Sequence, residues 1–149
     1  MFTAVTELST RLMSVIALLA ICGFVVSSVS LHHHYATSKT PYCDFGQAFN
    51  CDLVNRSAYS TMLGVPVALI GMLGYAMIAG LATVYRRHPS TPTLLFVLPA
   101  TGLAFALYLT YVEGHILGVW CILCLASFAL IAMITILAGI NKWKRDRVE

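Results

Sequence analysis

The sequence predicts an all-α integral membrane protein, a bundle of four transmembrane helices with one sizeable polar loop that carries a short helix. The chain has 149 residues, of which 59% are hydrophobic and only 10% are charged, whereas a soluble domain has about 25% charged residues. Four segments lack charge and are long enough to cross a bilayer, which takes roughly 20 helical residues. They are residues 12–31, 64–85, 94–112 and 120–140. Little polar sequence remains, so we expect residues 1–149 to form a single membrane domain.

The basic residues predict the orientation of the bundle. With four spans, both termini and the 86–93 turn lie on one side, which holds Arg11, Arg86, Arg87, Lys142, Lys144, Arg145 and Arg147. The other side has only Lys39 and Arg56. Because basic residues accumulate on the cytoplasmic side, we expect a multi-pass protein of the cell inner or plasma membrane, with cytoplasmic termini and an extracytoplasmic loop over residues 32–63. The net charge of +3 follows from this topology and gives no reason to expect nucleic acid as a partner.

A Cys-x-x-Cys motif, Cys121 and Cys124, lies at the start of the last apolar segment. Residues three apart share a helix face, so the two sulfurs can form a small disulfide ring or separate as two thiols. If the helix begins near Trp120, its positive dipole end lies beside Cys121 and favours the reactive thiolate. A zinc site would need a second ligand pair at metal-like spacing, and two inert core cysteines are the other alternative. We interpret the motif as a redox pair.

The polar loop supplies a second pair, Cys43 and Cys51. Pro41 and Gly46 allow the turn that a disulfide within the loop requires. A purely structural disulfide is one interpretation of this pair. Two dithiols on the same membrane face can instead form a relay, in which thiolate attack on a neighbouring disulfide passes two electrons without metal or flavin. Three pairings among the four cysteines remain open.

Other polar residues in or near the spans have plainer interpretations. Cys22 lies within the first span, where we expect it to act as a small hydrophobic residue. His32 to His34 are consecutive and point in different directions, so an interfacial polar run is favoured over a metal site. Glu113 and His115 lie just before the Cys-x-x-Cys motif, where we expect a solvated turn, with proton handling as the alternative.

Two local patterns bear on capping and packing. Asp52 is a candidate N-cap for a short helix through Ser57 and Tyr59. Small residues let helices approach closely in lipid, and the second span is rich in them, at Gly64, Gly71, Gly74 and Gly80.

These residues together resemble a known family. The ordered motifs are Cys51-Asp52-x-Val54-x-x-Ser57-x-Tyr59-Ser60, then Gly64-x-Pro66-x-Ala68-x-x-Gly71-x-x-x-Tyr75, then Cys121-x-x-Cys124. A Cys-x-x-Cys motif alone is weak evidence, but the ordered set with four spans is specific. From the loop cysteines through the last span, the chain resembles the vitamin K epoxide reductase family in its single-domain bacterial form.

The resemblance implies a quinone-dependent thiol–disulfide oxidoreductase that supports disulfide formation in exported proteins. Cys43 and Cys51 resemble the family's shuttle pair, with Cys43 meeting a thioredoxin-like partner and Cys51 attacking Cys121. Cys124 then faces a membrane quinone of the ubiquinone or menaquinone type, which is a substrate, and no metal is implied. The fused thioredoxin-like domain of some relatives is absent from this sequence, so the partner is expected to be a separate extracytoplasmic protein.

The resemblance also suggests residues that bind the quinone. Ser57 matches the family's hydroxyl near the quinone headgroup. Val67 and Phe128 stand where the animal epoxide reductases carry an Asn and a Tyr, and both lack a hydrogen-bonding group. This departure favours simple quinone reduction over epoxide reduction. A vitamin K epoxide or quinone reductase is the alternative enzymatic function. A non-enzymatic membrane scaffold with a structural disulfide is the alternative of another class.

Overall fold

Helices form the body of the protein, and two short hairpins and a short helix form one end of it. The structure is a computed structural model that describes residues 2–37 and 42–147; Lys39 and Pro41 lie outside the described residues. In chain order the elements are α1 (Phe2–Tyr35), β1 (Asp44–Phe45), β2 (Phe49–Asn50), α2 (Cys51–Asn55), a 3-10 turn (Ala58–Ser60), β3 (Thr61–Met62), β4 (Val65–Pro66), α3 (Val67–Thr83), α4 (Thr91–Val112), a π-helical turn (Glu113–Leu117) and α5 (Ile122–Asp146).

Three helical segments are long and apolar enough to cross a bilayer. Among the described residues these are Glu7–Tyr35, Thr91–Leu117 and Ile122–Asp146. The fourth long apolar helix, α3, has only 17 residues, because the predicted second span contributes its first residues to the β3–β4 hairpin. Leu63 and Gly64 form the turn of that hairpin, with φ of 52° and 81°. The prediction of a helical membrane protein is confirmed for three of its four spans.

The first and last helices run in opposite directions. Near the start of α1, the Ser9 hydroxyl donates to Asn141 Oδ1 in the last turns of α5 at 3.0 Å. Near the other end of α1, the Ser30 hydroxyl donates to Asn55 Oδ1 in α2 at 2.7 Å. The start of α1 and the end of α5 therefore meet at one end of the bundle, and the cysteine-bearing loop lies at the other.

The buried core lies between all four long helices. Its members are Met13, Ile16, Ala17 and Ala20 of α1, Tyr75, Ile78 and Ala82 of α3, Leu95 of α4, and Ile131, Ile134 and Ala138 of α5. These apolar side chains are buried and pack closely against one another, which holds the helices together.

Close packing of α1 on α3 depends on two glycines, one on each helix. A Cβ at Gly23 would lie 2.3 Å from Cε1 of Tyr75, and a Cβ at Gly71 would lie 3.1 Å from Oγ of Ser27. The expectation for the second span was wrong in part, since no described atom lies within 4 Å of a Cβ built at Gly74 or Gly80. Gly64 serves the hairpin turn instead, because its positive φ suits glycine.

We predict that Gly23→Ala destabilises the bundle and that Gly80→Ala does not. The Tyr75 ring has little freedom to move away from a new methyl group, because its hydroxyl lies 2.9 Å from both the carbonyl and the hydroxyl of Ser127. Overpacking of this kind costs about 1–3 kcal/mol. Thermal unfolding in detergent measures the difference, and equal unfolding temperatures for the two variants would contradict the proposed contact.

Candidate active site

A disulfide closes the loop that follows α1. Cys43 and Cys51 are bonded, with a Cα–Cα distance of 5.6 Å. Strands β1 and β2 pair between them, Asp44 with Asn50 and Phe45 with Phe49. Gly46 takes a φ of 69° in the intervening turn, a left-handed conformation that glycine adopts without a Cβ clash. Of the pairings that the sequence leaves open, the structure has Cys43 bonded to Cys51, with Cys121 and Cys124 as free thiols.

Backbone pairing joins this hairpin to the residue before α5. The N–H of Asn50 donates to the Trp120 carbonyl at 3.0 Å, and the N–H of Trp120 donates to the Ala48 carbonyl at 2.9 Å. Cys51 is the next residue after Asn50, and Cys121 is the next after Trp120. The pairing therefore brings the outer pair, Cys43 and Cys51, against the inner pair, Cys121 and Cys124.

The short helix α2 begins at Cys51 and is capped one residue earlier. Oδ1 of Asn50 accepts from the N–H of Leu53 at 2.8 Å, which satisfies one of the unpaired donors at the helix start. The predicted cap at Asp52 was therefore wrong, since Asp52 lies in the first turn. The predicted extent was also wrong, because α2 ends at Asn55 and the Ser57 hydroxyl folds back to the Val54 carbonyl at 2.8 Å.

Cys121 is fully buried and packs against the outer disulfide. It belongs to one cluster of buried side chains with Cys43, Cys51 and Val54. It is also the N-cap residue of α5, where unpaired N–H groups favour negative charge on the sulfur. A hydrogen bond from the Cys124 thiol lowers the pKa of Cys121, against the opposing effects of burial and of the nearby Glu113 carboxylate.

Asn55 connects the two cysteine pairs, a role that the sequence did not reveal. Its Nδ2 donates to the Cys51 carbonyl at 3.0 Å and lies 3.9 Å from the Cys121 sulfur. Its own carbonyl contacts Nδ1 of His34 at 2.5 Å, and its Oδ1 accepts from Ser30. An Asn in a five-residue helix has no sequence signal for such a role, because its partners come from α1 and α5.

Glu113 also departs from expectation, because it is not in a solvated turn. Its side chain is only 2% exposed and lies where α4 passes into the π-helical turn. Its Oε2 accepts from the N–H of Cys121 at 3.0 Å, which places the carboxylate beside the inner pair. His115, two residues on, is exposed and stacks on Tyr111.

A cavity of about 430 Å³ lies between the helices and reaches the inner pair. This is within the usual size range for small-molecule pockets. Cys124 lines it, and most of the other lining side chains are apolar. The polar lining residues come from every long helix and the loop: Ser27, Ser30, His34, Asn55, Ser57, Tyr59, Ser60, Tyr75, Thr101, Thr110, Glu113 and Ser127.

The three predicted quinone contacts lie in different places. Ser57 and Val67 line the cavity, whereas Phe128, which is partly buried on α5, is not among its described lining residues. The Ser57 hydroxyl donates its hydrogen to the Val54 carbonyl, so the hydroxyl oxygen can act only as an acceptor toward a molecule in the cavity.

The consecutive histidines anchor the end of α1 to the loop. His33 is buried, with Nε2 2.9 Å from the Tyr42 hydroxyl and Nδ1 4.0 Å from Asp52 Oδ1. His34 contacts the Asn55 carbonyl and lines the cavity. Among the described residues, no three His, Cys, Asp or Glu side chains are grouped to hold a metal ion.

Comparison with known families agrees with this geometry. A family model described as the Vitamin K epoxide reductase family matches residues 14–138, which is most of the chain and includes both cysteine pairs. Members of this family are oxidoreductases, and the disulfide and the apolar helices seen here are consistent with that assignment. The chain belongs to the vitamin K epoxide reductase family.

Proposed function

We propose that this protein is a quinone-dependent thiol–disulfide oxidoreductase that oxidises a separate thioredoxin-like protein and so supports disulfide formation in exported proteins. The observation that carries the proposal is the placement of the inner pair. Cys121 packs against the outer disulfide, while Cys124, one turn along α5, lines the apolar cavity. A dithiol in that position touches a protein disulfide on one side and a lipid-soluble oxidant on the other.

The electron path runs through two exchange steps. A dithiol of the partner reduces the Cys43–Cys51 disulfide, beginning at Cys43, and leaves with its own cysteines oxidised. The Cys51 thiolate then attacks Cys121 of an inner disulfide and releases Cys124, after which Cys43 attacks Cys51 and releases Cys121. The outer pair is again a disulfide and the inner pair a dithiol, which is the state of the four sulfurs in the structure. A lowered pKa makes Cys121 a better leaving group in the second displacement.

The inner dithiol then reduces the quinone in the cavity. Two electrons pass from the sulfurs to the ring, the Cys121–Cys124 bond re-forms, and the quinone becomes a hydroquinone. Ser57 accepts a hydrogen bond from the reduced headgroup, and Val67 supplies apolar contact without a donor. Phe128 lies outside the described cavity lining and acts, on this proposal, through the packing of α5.

The proposed site lies at the extracytoplasmic end of four spans, with α3 as the fourth. At 1.5 Å per residue α3 is about 26 Å long, close to the roughly 30 Å hydrocarbon thickness. The end of the bundle where α1 begins and α5 finishes carries most of the basic residues, which supports a cytoplasmic location for it.

The orientation predicts which introduced cysteines a membrane-impermeant thiol reagent reaches. Gln47→Cys and His115→Cys lie at the loop end, whereas His88→Cys and Lys144→Cys lie at the opposite end, and all four native side chains are exposed. In intact cells we expect labelling of the first two alone, mapped by mass spectrometry, and labelling of all four after permeabilisation. The reverse pattern would place the thiols in a reducing compartment and refute the proposal.

The cysteine relay predicts a trapped intermediate. In Cys124→Ala, the Cys121 thiolate can attack Cys51 of the outer disulfide and release Cys43, but no Cys124 remains to attack Cys121 in turn. The Cys51–Cys121 bond should therefore accumulate, and quinone reduction should stop because no inner disulfide can form. Cys22→Ala, which removes an exposed thiol of α1, is the control. Peptide mapping without reductant measures the linkage. Only Cys43–Cys51 linkage in the Cys124 variant, with quinone still reduced, would mean that the outer disulfide is structural.

The cavity predicts a difference between two glycines of α3. Gly74 lines the cavity and Gly80 does not, although neither has a described neighbour within 4 Å of a Cβ placed on its backbone. Gly74→Leu should therefore fill quinone space, while Gly80→Leu is a matched control on the same helix. We expect Gly74→Leu to raise the quinone concentration for half-maximal rate at least about tenfold, or about 1.4 kcal/mol. Equal quinone kinetics in the two variants would exclude this cavity as the quinone site.

A further inference from the structure

Glu113 is a buried carboxyl group that the proposed electron path does not use. It is the one carboxyl-bearing residue among the described residues that line the cavity. The other titratable groups that line it are His34 of α1, Tyr59 of the loop, Tyr75 of α3 and Cys124 of α5. A carboxyl group is costly to bury unless it is hydrogen-bonded, so its position requires an explanation.

Part of the explanation is structural. The N–H of Cys121 is one of the unpaired donors at the start of α5, and Cys121 supplies no side-chain cap. Glu113 Oε2 accepts from this N–H at 3.0 Å. A carboxylate at a helix N-terminus is stabilising, but an amide oxygen would accept the same hydrogen bond. Capping therefore does not by itself require an acid.

The second observation is the position of Glu113 beside the inner pair. Glu113 Oε2 lies 3.0 Å from the backbone nitrogen of Cys121, and Glu113 and Cys124 line the same cavity, in which the quinone is proposed to bind. The thiol must lose its proton when the inner pair becomes a disulfide, and a quinone oxygen must gain one. A carboxylate that lines the same cavity as the thiol and the proposed quinone site can carry that proton.

We propose that Glu113 is the catalytic base of the inner pair, taking the Cys124 proton as the dithiol is oxidised and delivering it to the nearer quinone oxygen. This inference rests on the proposed function. Two electrons leave the two sulfurs as their S–S bond forms. The Cys121 proton goes to water, and the farther quinone oxygen takes one proton from water. The sum is dithiol plus quinone giving disulfide plus hydroquinone, with Glu113 unchanged.

Two substitutions separate proton transfer from capping. Glu113→Gln keeps an oxygen that can accept from the Cys121 N–H but cannot take a proton. Glu113→Asp keeps the carboxyl group but is one methylene shorter, so it reaches the N–H poorly. A capping role ranks Gln above Asp in activity, whereas a proton-carrying role ranks Asp above Gln. Glu7→Gln, at an exposed position of α1, is the control for loss of a carboxylate elsewhere.

The assay uses the full-length protein in detergent, with dithiothreitol as the reductant and a short-chain ubiquinone analogue as the oxidant, and follows quinone absorbance across a range of pH. We expect Glu113→Gln to lower the maximal rate about 100-fold or more, as for loss of a general base, with the half-saturating quinone concentration and unfolding temperature little changed. Glu113→Asp should retain part of the activity, and Glu7→Gln should match the wild type.

Two results would overturn the inference. Wild-type activity in Glu113→Gln, or a Gln variant more active than the Asp variant, would leave Glu113 as a cap only. If Glu113→Asp does not fold, the comparison of Glu113→Gln with the wild type decides alone. A wild-type protein that does not reduce quinone refutes the proposed function itself, and the inference falls with it. A wild-type protein that reduces quinone and a Gln variant that does so equally well refute the inference alone.

Discussion

Two backbone hydrogen bonds between the loop and the residue before α5 hold the candidate site together. They join Asn50 and Ala48 to Trp120. Cys51 follows Asn50 and Cys121 follows Trp120, so the pairing places these two cysteines side by side. Bringing residues 48–51 against residues 120–121 closes a long segment of chain, which costs conformational entropy. The Asn55 side chain adds a second connection between these two parts of the chain. The proposed exchange between the cysteine pairs depends on this pairing, because thiolate attack requires direct contact of sulfur with sulfur.

The proposed site must pass electrons from a partner in water to an oxidant in the bilayer. A thioredoxin-like protein meets the cysteines from water, whereas a quinone is soluble in the bilayer. The outer disulfide lies in the loop, and the cavity extends from Cys124 down between the helices with a mostly apolar lining. The polar groups in that lining come from the loop end of the bundle and from serine, threonine and tyrosine side chains on the helices. A flat headgroup with two oxygens and an apolar tail fits such a lining better than a charged substrate does.

The sequence predicted the parts of the structure that depend on local pattern. The apolar runs follow from composition, and the cysteine pairs follow from their spacing and from the family resemblance. Contacts between distant elements had no such signal. Gly23 has no sequence feature that identifies Tyr75 as its neighbour, because the two lie on different helices. Glu113 was expected in a solvated turn because the turn is short, whereas the chain there continues as a π-helical turn and buries the side chain. Asn50 and Asp52 have the same preference for the N-cap position, so the sequence does not distinguish which of them caps α2.

The central claim is that electrons from a protein dithiol reach a quinone through the four cysteines. Its most direct test mixes the purified full-length protein with a reduced thioredoxin-like protein and a quinone, and follows quinone absorbance and partner thiols together. We expect one hydroquinone to form for each partner disulfide formed, at a rate that depends on both substrates. Partner oxidation that proceeds without loss of quinone, or quinone reduction that is unaffected by the partner, would contradict the claim.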